Sequence, residues 1–241
     1  MIGYLHSLET MGLVDGPGVR GVVFLAGCPL RCLYCHNPDT WQYRPGTEIT
    51  PDALAQRLLR FRGYYERSGG GVTFSGGEPL CQKEFVAQTM ALLQAQGIHT
   101  CLDTSGGVNG DMGAVLRHTD LILYDVKHYD PERYRFLTGQ TMDATLNFLR
   151  QAEEARVPIW ARHVVVPGLT DTQEHMQALR RYVSQLPNIH RVELLPYHKM
   201  GDFKYTAQGR PNPLADVPPM DKRQCLALER QYFGTFTKES A

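Results

Sequence analysis

Val22-Val23-Phe24-Leu25-Ala26-Gly27-Cys28-Pro29-Leu30-Arg31-Cys32-Leu33-Tyr34-Cys35-His36 runs from an unbroken apolar segment into a loop crowded with reactive side chains. An apolar run without strict alternation predicts a strand covered on both faces, as in a parallel sheet. The same order recurs along the chain. Residues 71–74 lead into Ser75-Gly76-Gly77-Glu78-Pro79, and residues 100–103 into Thr104-Ser105-Gly106. Residues 121–125 end in Asp125-Val126-Lys127, 159–166 in Pro167-Gly168, and 191–195 in Pro196-Tyr197-His198.

Helical patterns fill the intervals. Thr50-Pro51 reads as N-cap and first helical residue, with Leu54, Leu58 and Phe61 behind it. Val86, Met90 and Leu93 form a second stripe, with Gly97 as its stop. Met176, Leu179, Val183 and Leu186 form a third, and weaker patterns cover 112–118, 142–156 and 220–232. Six β–α alternations imply parallel strands joined by right-handed crossovers, which an open doubly wound sheet would also satisfy. An open sheet gathers loops mainly at its switch point, whereas a barrel gathers all of them at the strands' carboxyl ends. Because every chemically rich segment follows a strand, the expected fold is α/β, a partial (βα)6 TIM-type barrel with outer helices. It forms one domain over 1–241, with the barrel core at about 20–200 and a C-terminal helix at about 219–232.

The composition suits such a domain: 241 residues, 42% hydrophobic and 21% charged. Lys+Arg and Asp+Glu are equal at 25 each, so no global field recruits nucleic acid or an anionic membrane. The N-terminal residues carry no basic and apolar export pattern, and no apolar run reaches the ~18 residues that span a bilayer. The expected location is cytoplasmic.

Six cysteines need an explanation. Without an export signal, a disulfide framework is a poor one. Cys81, Cys101 and Cys225 are scattered, as small buried hydrophobes would be. Cys28, Cys32 and Cys35 share one loop. Cys32-x2-Cys35 is also a zinc half-site, with His36 available, but a closed zinc site wants a second, similarly spaced pair that is absent here. A four-iron cluster usually takes four thiolates. Three on one loop would hold three irons and leave the fourth open, the better reading of this spacing.

The C-x3-C-x2-C spacing, with Tyr34 before the last cysteine, resembles the signature of the radical S-adenosylmethionine (SAM) family. Ser75-Gly76-Gly77-Glu78-Pro79 is similar to that family's glycine-rich motif. Further segments resemble the activating enzymes of pyruvate formate-lyase, a family of glycyl radical activases. They include Asp15-Gly16-Pro17-Gly18, His36-Asn37-Pro38-Asp39-Thr40-Trp41, Gly97 to Thr104, Val164-Val165-Val166-Pro167-Gly168 and Glu193 to His198. The stretch from Cys35 to Ser75 holds no cysteine, unlike activases that carry extra cluster insertions. Ser105-Gly106 stands where that family's pattern has Asn-Gly.

The resemblance implies a [4Fe–4S] cluster on Cys28, Cys32 and Cys35, which delivers the electron that cleaves S-adenosylmethionine. It places Tyr34, Cys35 and His36 along the cofactor, Gly77 and Glu78 at its amino group, and Asp125, Val126 and Lys127 at its ribose and carboxylate. His198 would reach the adenosyl portion, while Asp103 and Thr104 would help hold a monovalent cation. Asp15, Gly16, Pro17 and Gly18 would meet the partner, pyruvate formate-lyase or a similar glycyl radical enzyme. Reduced flavodoxin or another low-potential donor would supply electrons. A radical SAM enzyme acting on a small molecule, of the carboxydeazaguanine synthase type, shares the cluster and glycine motifs but not the Asp15 and His198 segments. A simple Fe–S electron carrier has no use for an open iron. Arg162 either binds substrate or pairs with a core carboxylate.

Overall fold

The computed structural model describes residues 1–42, 46–186 and 188–236. Its strands are β1 (Gly3–Gly12), β2 (Arg20–Leu25), β3 (Thr47–Ile49), β4 (Gly71–Gly76), β5 (His99–Thr104), β6 (Leu121–Asp125), β7 (Ile159–Val165) and β8 (Ile189–Pro196). The α-helices are α1 (Pro51–Leu59), α2 (Arg62–Ser68), α3 (Lys83–Gln94), α4 (Gly113–Leu116), α5 (Pro131–Thr138), α6 (Asp143–Glu154), α7 (Gln173–Ser184), α8 (Asp202–Ala207) and α9 (Lys222–Phe233). All six expected strands are present, and the class is α/β as the sequence predicts. No helix among the described residues is long and apolar enough to cross a membrane.

The chain divides into two compact units. The first comprises Met1–Pro29, Thr40–Leu123 and Asp143–Val157. Its strands lie in the order β3-β1-β2-β4-β5, followed by the first half of β6. β2 is parallel to β4 and β4 to β5, and these strands bury Val22, Val23, Leu25, Val72, Phe74 and Leu102. β1 pairs antiparallel with both β2 and β3, an addition the sequence reading lacks. α1 starts where its signals place it, with the Ala53 N–H donating to Thr50 Oγ1. It stops at Leu59, so Phe61 lies outside its stripe and caps α2 instead. Leu54, Leu58, Val86, Met90 and Leu93 are all buried.

The second unit comprises Leu30–Asp39, Tyr124–Met142 and Pro158–Ala241. It holds the second half of β6, then β7 parallel to β8. α7 buries Met176, Leu179 and Val183, while Leu186 falls past its end. α9 attaches to β8 at both backbone groups of Leu194: Glu229 Oε2 accepts from its N–H at 2.7 Å, and Cys225 Sγ donates to its carbonyl at 3.5 Å.

Candidate functional site

In the first unit, β4 ends in a loop whose glycines are required by the chain's own backbone. Gly76 has φ +116°, and a Cβ there would lie 2.2 Å from Leu25 N. A Cβ on Gly77 would lie 2.4 Å from the Gly27 carbonyl oxygen. That close approach lets the Gly77 N–H donate to Leu25 O and the Glu78 N–H to Gly27 O, at 2.9 and 2.8 Å. Gly27 and Cys28 in turn donate to the Thr40 and Trp41 carbonyls. The glycine-rich loop therefore braces the turn that carries Cys28.

Glu78 is 1% exposed. Its Oε1 accepts from the Thr104 hydroxyl at 2.5 Å and the Leu80 N–H at 3.2 Å. Its Oε2 accepts from the Ser105 N–H at 3.0 Å and the Ser105 hydroxyl at 2.7 Å. Burial pushes this carboxyl up, against the pull of those donors. The Thr104 hydroxyl also accepts from the Gly106 N–H, so it is occupied on both sides. Asp103 Oδ2 accepts from Ser75 Oγ at 2.6 Å. Glu78, Asp103 and Thr104 thus tie the ends of β4 and β5 together.

The Asp15–Gly18 turn is fixed from below by a fully buried arginine. Arg20 donates to the Pro17 and Val72 carbonyls and, through Nε, to Thr73 Oγ1 at 2.6 Å. The Thr73 hydroxyl in turn donates to the Asp15 carbonyl at 2.7 Å. Leu13 and Val14, just before the turn, are 71% and 81% exposed.

The second unit gathers the other predicted residues around Lys127. Its ammonium bonds Asp125 Oδ2 at 2.9 Å, and Asp125 Oδ1 accepts from Arg162 at 3.2 Å. Arg162 therefore pairs with a core carboxylate. Burial alone would raise the Asp125 carboxyl, but Lys127 and Arg162 outweigh it and hold the group below the usual range. Lys127 also stands 5.7 Å from the centroid of Tyr34, whose buried hydroxyl has no hydrogen-bond partner among the described residues. Cys32 belongs to the same cluster: burial pushes its thiol up to about 12, with Lys127 pulling the other way.

Tyr34, Cys35, His36 and His198 line a small cleft with Tyr197 and Tyr205. The His36 and His198 rings meet edge to face, with centroids 4.9 Å apart. Burial, with His198 and Lys204 nearby, lowers His36 to about 4, so it is neutral at pH 7. Residues of α8, unmarked in the sequence, hold the cysteine loop. Tyr205 Oη donates to the Cys35 carbonyl at 2.8 Å, and Lys204 reaches Asn37 Oδ1 at 2.6 Å and Asp39 Oδ1 at 3.1 Å.

The first unit thus carries Cys28, Gly77, Glu78, Asp103, Thr104 and the Asp15–Gly18 turn. The second carries Cys32, Tyr34, Cys35, His36, the Asp125–Lys127 turn and His198. None of the six cysteines forms a disulfide. Among the described residues no three His, Cys, Asp or Glu side chains close on a single metal ion. Cys101 and Cys225 are buried and Cys81 is half-buried.

Comparison with known proteins follows the same lines. The model of the Radical SAM superfamily matches residues 22–180. The chain is 48% identical to the pyruvate formate-lyase-activating enzyme of Clostridium pasteurianum over 230 residues, 95% of this chain and 97% of that one. A crystal structure of a domain of the corresponding Bacteroides vulgatus enzyme has a TM-score of 0.55 at 24% identity, covering 72% of this chain and 98% of that chain. Coproporphyrinogen III oxidase from Escherichia coli, a radical SAM enzyme, has a TM-score of 0.55 at 17% identity, covering 90% of this chain and 51% of that one. Such likenesses carry the fold, and the near full-length identity carries the family. The chain belongs to the radical SAM superfamily and, within it, to the pyruvate formate-lyase-activating enzymes.

Proposed function

We propose that this chain activates pyruvate formate-lyase, removing a hydrogen atom from one of its glycines to leave a stable glycyl radical. The observation that carries this reading is the 48% identity across 95% of this chain and 97% of the relative. It leaves no room for the added cluster insertions of other activases.

The superfamily uses a [4Fe–4S] cluster and S-adenosylmethionine, and the residues present fit both. Cys28, Cys32 and Cys35 supply three thiols from one loop, one fewer than a four-iron cluster usually takes. A thiol held near 12 by burial, as Cys32 is, stays protonated unless a metal takes it as thiolate. The buried, unpartnered Tyr34 hydroxyl beside Lys127 suits a polar ligand. When bound, cluster and cofactor together supply reductive cleavage of the sulfonium and abstraction of hydrogen from glycine.

The chain's own task is binding, orientation and exclusion of water. Lys127 offers a cation to the cofactor's carboxylate region, and Asp125 and Arg162 keep that ammonium oriented. The His36 ring, neutral at pH 7, and the His198 ring that meets it edge to face offer aromatic surfaces to an adenosyl group. Because Glu78 has four donors of its own, recognition of an amino group at this loop falls to backbone carbonyls. The Thr104 hydroxyl donates to Glu78 and accepts from Gly106, which leaves it one lone pair for a monovalent cation beside Asp103. The Asp15–Gly18 turn, with exposed Leu13 and Val14 before it, is the surface offered to the partner. Reduced flavodoxin or a similar low-potential protein supplies electrons, and the setting is the cytoplasm.

The test is EPR of anaerobically mixed protein, reductant, S-adenosylmethionine and pyruvate formate-lyase. The α-hydrogen doublet of a glycyl radical on the partner is expected. Cofactor cleavage without that doublet would reject the activase reading in favour of a small-molecule substrate.

A further inference from the structure

Two consecutive residues of β7 grip the Asp125–Lys127 turn, and their side chains leave the strand on opposite faces. Arg162 takes the Asp125 carboxylate with its side chain and the Val126 N–H with its carbonyl, the latter at 2.8 Å. His163, 1% exposed, meets the Val126 carbonyl through Nδ1 at 2.7 Å. A carbonyl only accepts, so Nδ1 carries the proton and Nε2 of the neutral ring is left as an acceptor. The atom that meets it is Nε2 of His175 on α7, at 3.0 Å, which must be the donor. One carbonyl thereby sets the tautomers of both rings. Burial keeps both imidazoles neutral at pH 7, as this arrangement requires.

A metal bridging the two Nε2 atoms is the competing account. The third ring, His128, has its centroid 4.9 Å from that of His175. Its Nδ1 accepts the Asp130 N–H at 2.9 Å, which puts a proton rather than a lone pair on Nε2 of the neutral ring. Among the described residues no three metal-ligating side chains converge. The pair therefore reads as a proton-ordered bolt.

We propose that His163, backed by His175, is a positioning residue for the Asp125–Lys127 turn and sets the affinity for S-adenosylmethionine through it. The proposal rests on the reading of that turn as a cofactor contact. Arg162 fixes the side chain of Asp125 and the peptide that follows it, and His163 fixes the next peptide, between Val126 and Lys127. Together they determine where Lys127 leaves the sheet. Val126 has both backbone polar groups held by β7, one by main chain and one by imidazole.

Two measurements test this on the full chain: S-adenosylmethionine affinity of the anaerobically reconstituted protein, and amide hydrogen exchange over residues 125–128. His163→Leu is expected to weaken affinity by roughly tenfold, the worth of one buried hydrogen bond, and to speed exchange at Val126. His163→Asn keeps an N–H at the δ position and should stay within about threefold of the parent. His175→Gln, which keeps an N–H at the ε position, should likewise outperform His175→Leu. If His163→Leu does not fold, the His163→Asn, His175→Gln and His175→Leu comparison carries the test. Equal damage from His163→Asn and His163→Leu, or no damage from either while Lys127→Ala loses affinity, would overturn the positioning role alone. Unchanged affinity in Lys127→Ala as well would overturn the reading of the turn, and the positioning role with it.

Discussion

Glu78 shows how one side chain can serve a site by facing inward. Each of its two carboxylate oxygens accepts one backbone N–H and one hydroxyl. A hydroxyl can turn and become an acceptor; a backbone N–H cannot. Glu78→Gln must put its amide NH2 against either Leu80 N–H or Ser105 N–H, so neither rotamer escapes a donor–donor clash. The expected cost is about 1.5–3 kcal/mol, the range for a hydrogen bond to a charged group lost in the interior. Urea unfolding of the two proteins measures it. A loss below about 0.5 kcal/mol would show that the loop relaxes around the amide and that the four bonds are not what joins β4 to β5. Gly77 makes the same point without a side chain, since its missing Cβ is where the Gly27 carbonyl passes.

At the scale of elements, α8 is the clearest addition to what the sequence discloses. Six residues long and without an apolar stripe, it gives no periodic signal. Yet Tyr205 and Lys204 bind the cysteine loop at Cys35, Asn37 and Asp39, and a Cβ on Gly201 would lie 2.5 Å from the His36 carbonyl oxygen. Tyr205→Phe removes one bond from Cys35, which on the proposed reading is a cluster ligand. It should speed loss of the reconstituted cluster to a chelator by roughly fivefold, as about 1 kcal/mol implies. An unchanged rate would leave α8 without a part in retaining the cluster. The parallel strands were legible within two residues at either end because burial on both faces writes a continuous apolar run. β1 was missed because Ser7, Glu9 and Met11 are exposed along it, and a strand solvated on one face shows no such run. α5 has its caps in plain view, Asp130-Pro131 at the start and Gly139 at the end, but only a weak apolar stripe between them. The motif residues could be read because their chemistry is written in adjacent letters. Arg162 could be singled out in the sequence but not its partner, while His163, His175 and Lys204 reach the site by packing from distant segments and nothing local in the sequence announces them.

For the whole molecule, 25 basic and 25 acidic residues balance, so no net field at neutral pH governs stability. Its pH dependence must come from individual groups whose proton affinity changes on folding. Burial lowers His36 and His163 to about 4 and His175 to about 3, and lowers His99 and His128 as well. Free imidazoles take protons near pH 6.5. Between about pH 6.5 and 4 the unfolded chain therefore binds protons that the folded chain refuses, and stability falls as pH falls. Each such imidazole contributes about 1.4 kcal/mol per pH unit to the slope. Asp125 acts lower down. Its depressed carboxyl stabilises the fold above the ordinary carboxylate range, and that support is lost as acid titrates it below about pH 4. The two windows are separate, which allows a clean subtraction. His163 faces His175, His128, Lys127 and Asp125, and the charge on Lys127 alone disfavours a second cation there. Urea unfolding of the parent and of His163→Asn, at intervals from pH 7 to pH 4, should give a slope shallower by about one proton in the variant. Below about pH 4 the two curves should run parallel, since Asp125 is intact in both. Identical slopes down to pH 4 would mean that His163 already carries a proton in the fold, and the tautomer order derived from the Val126 carbonyl would fail with it.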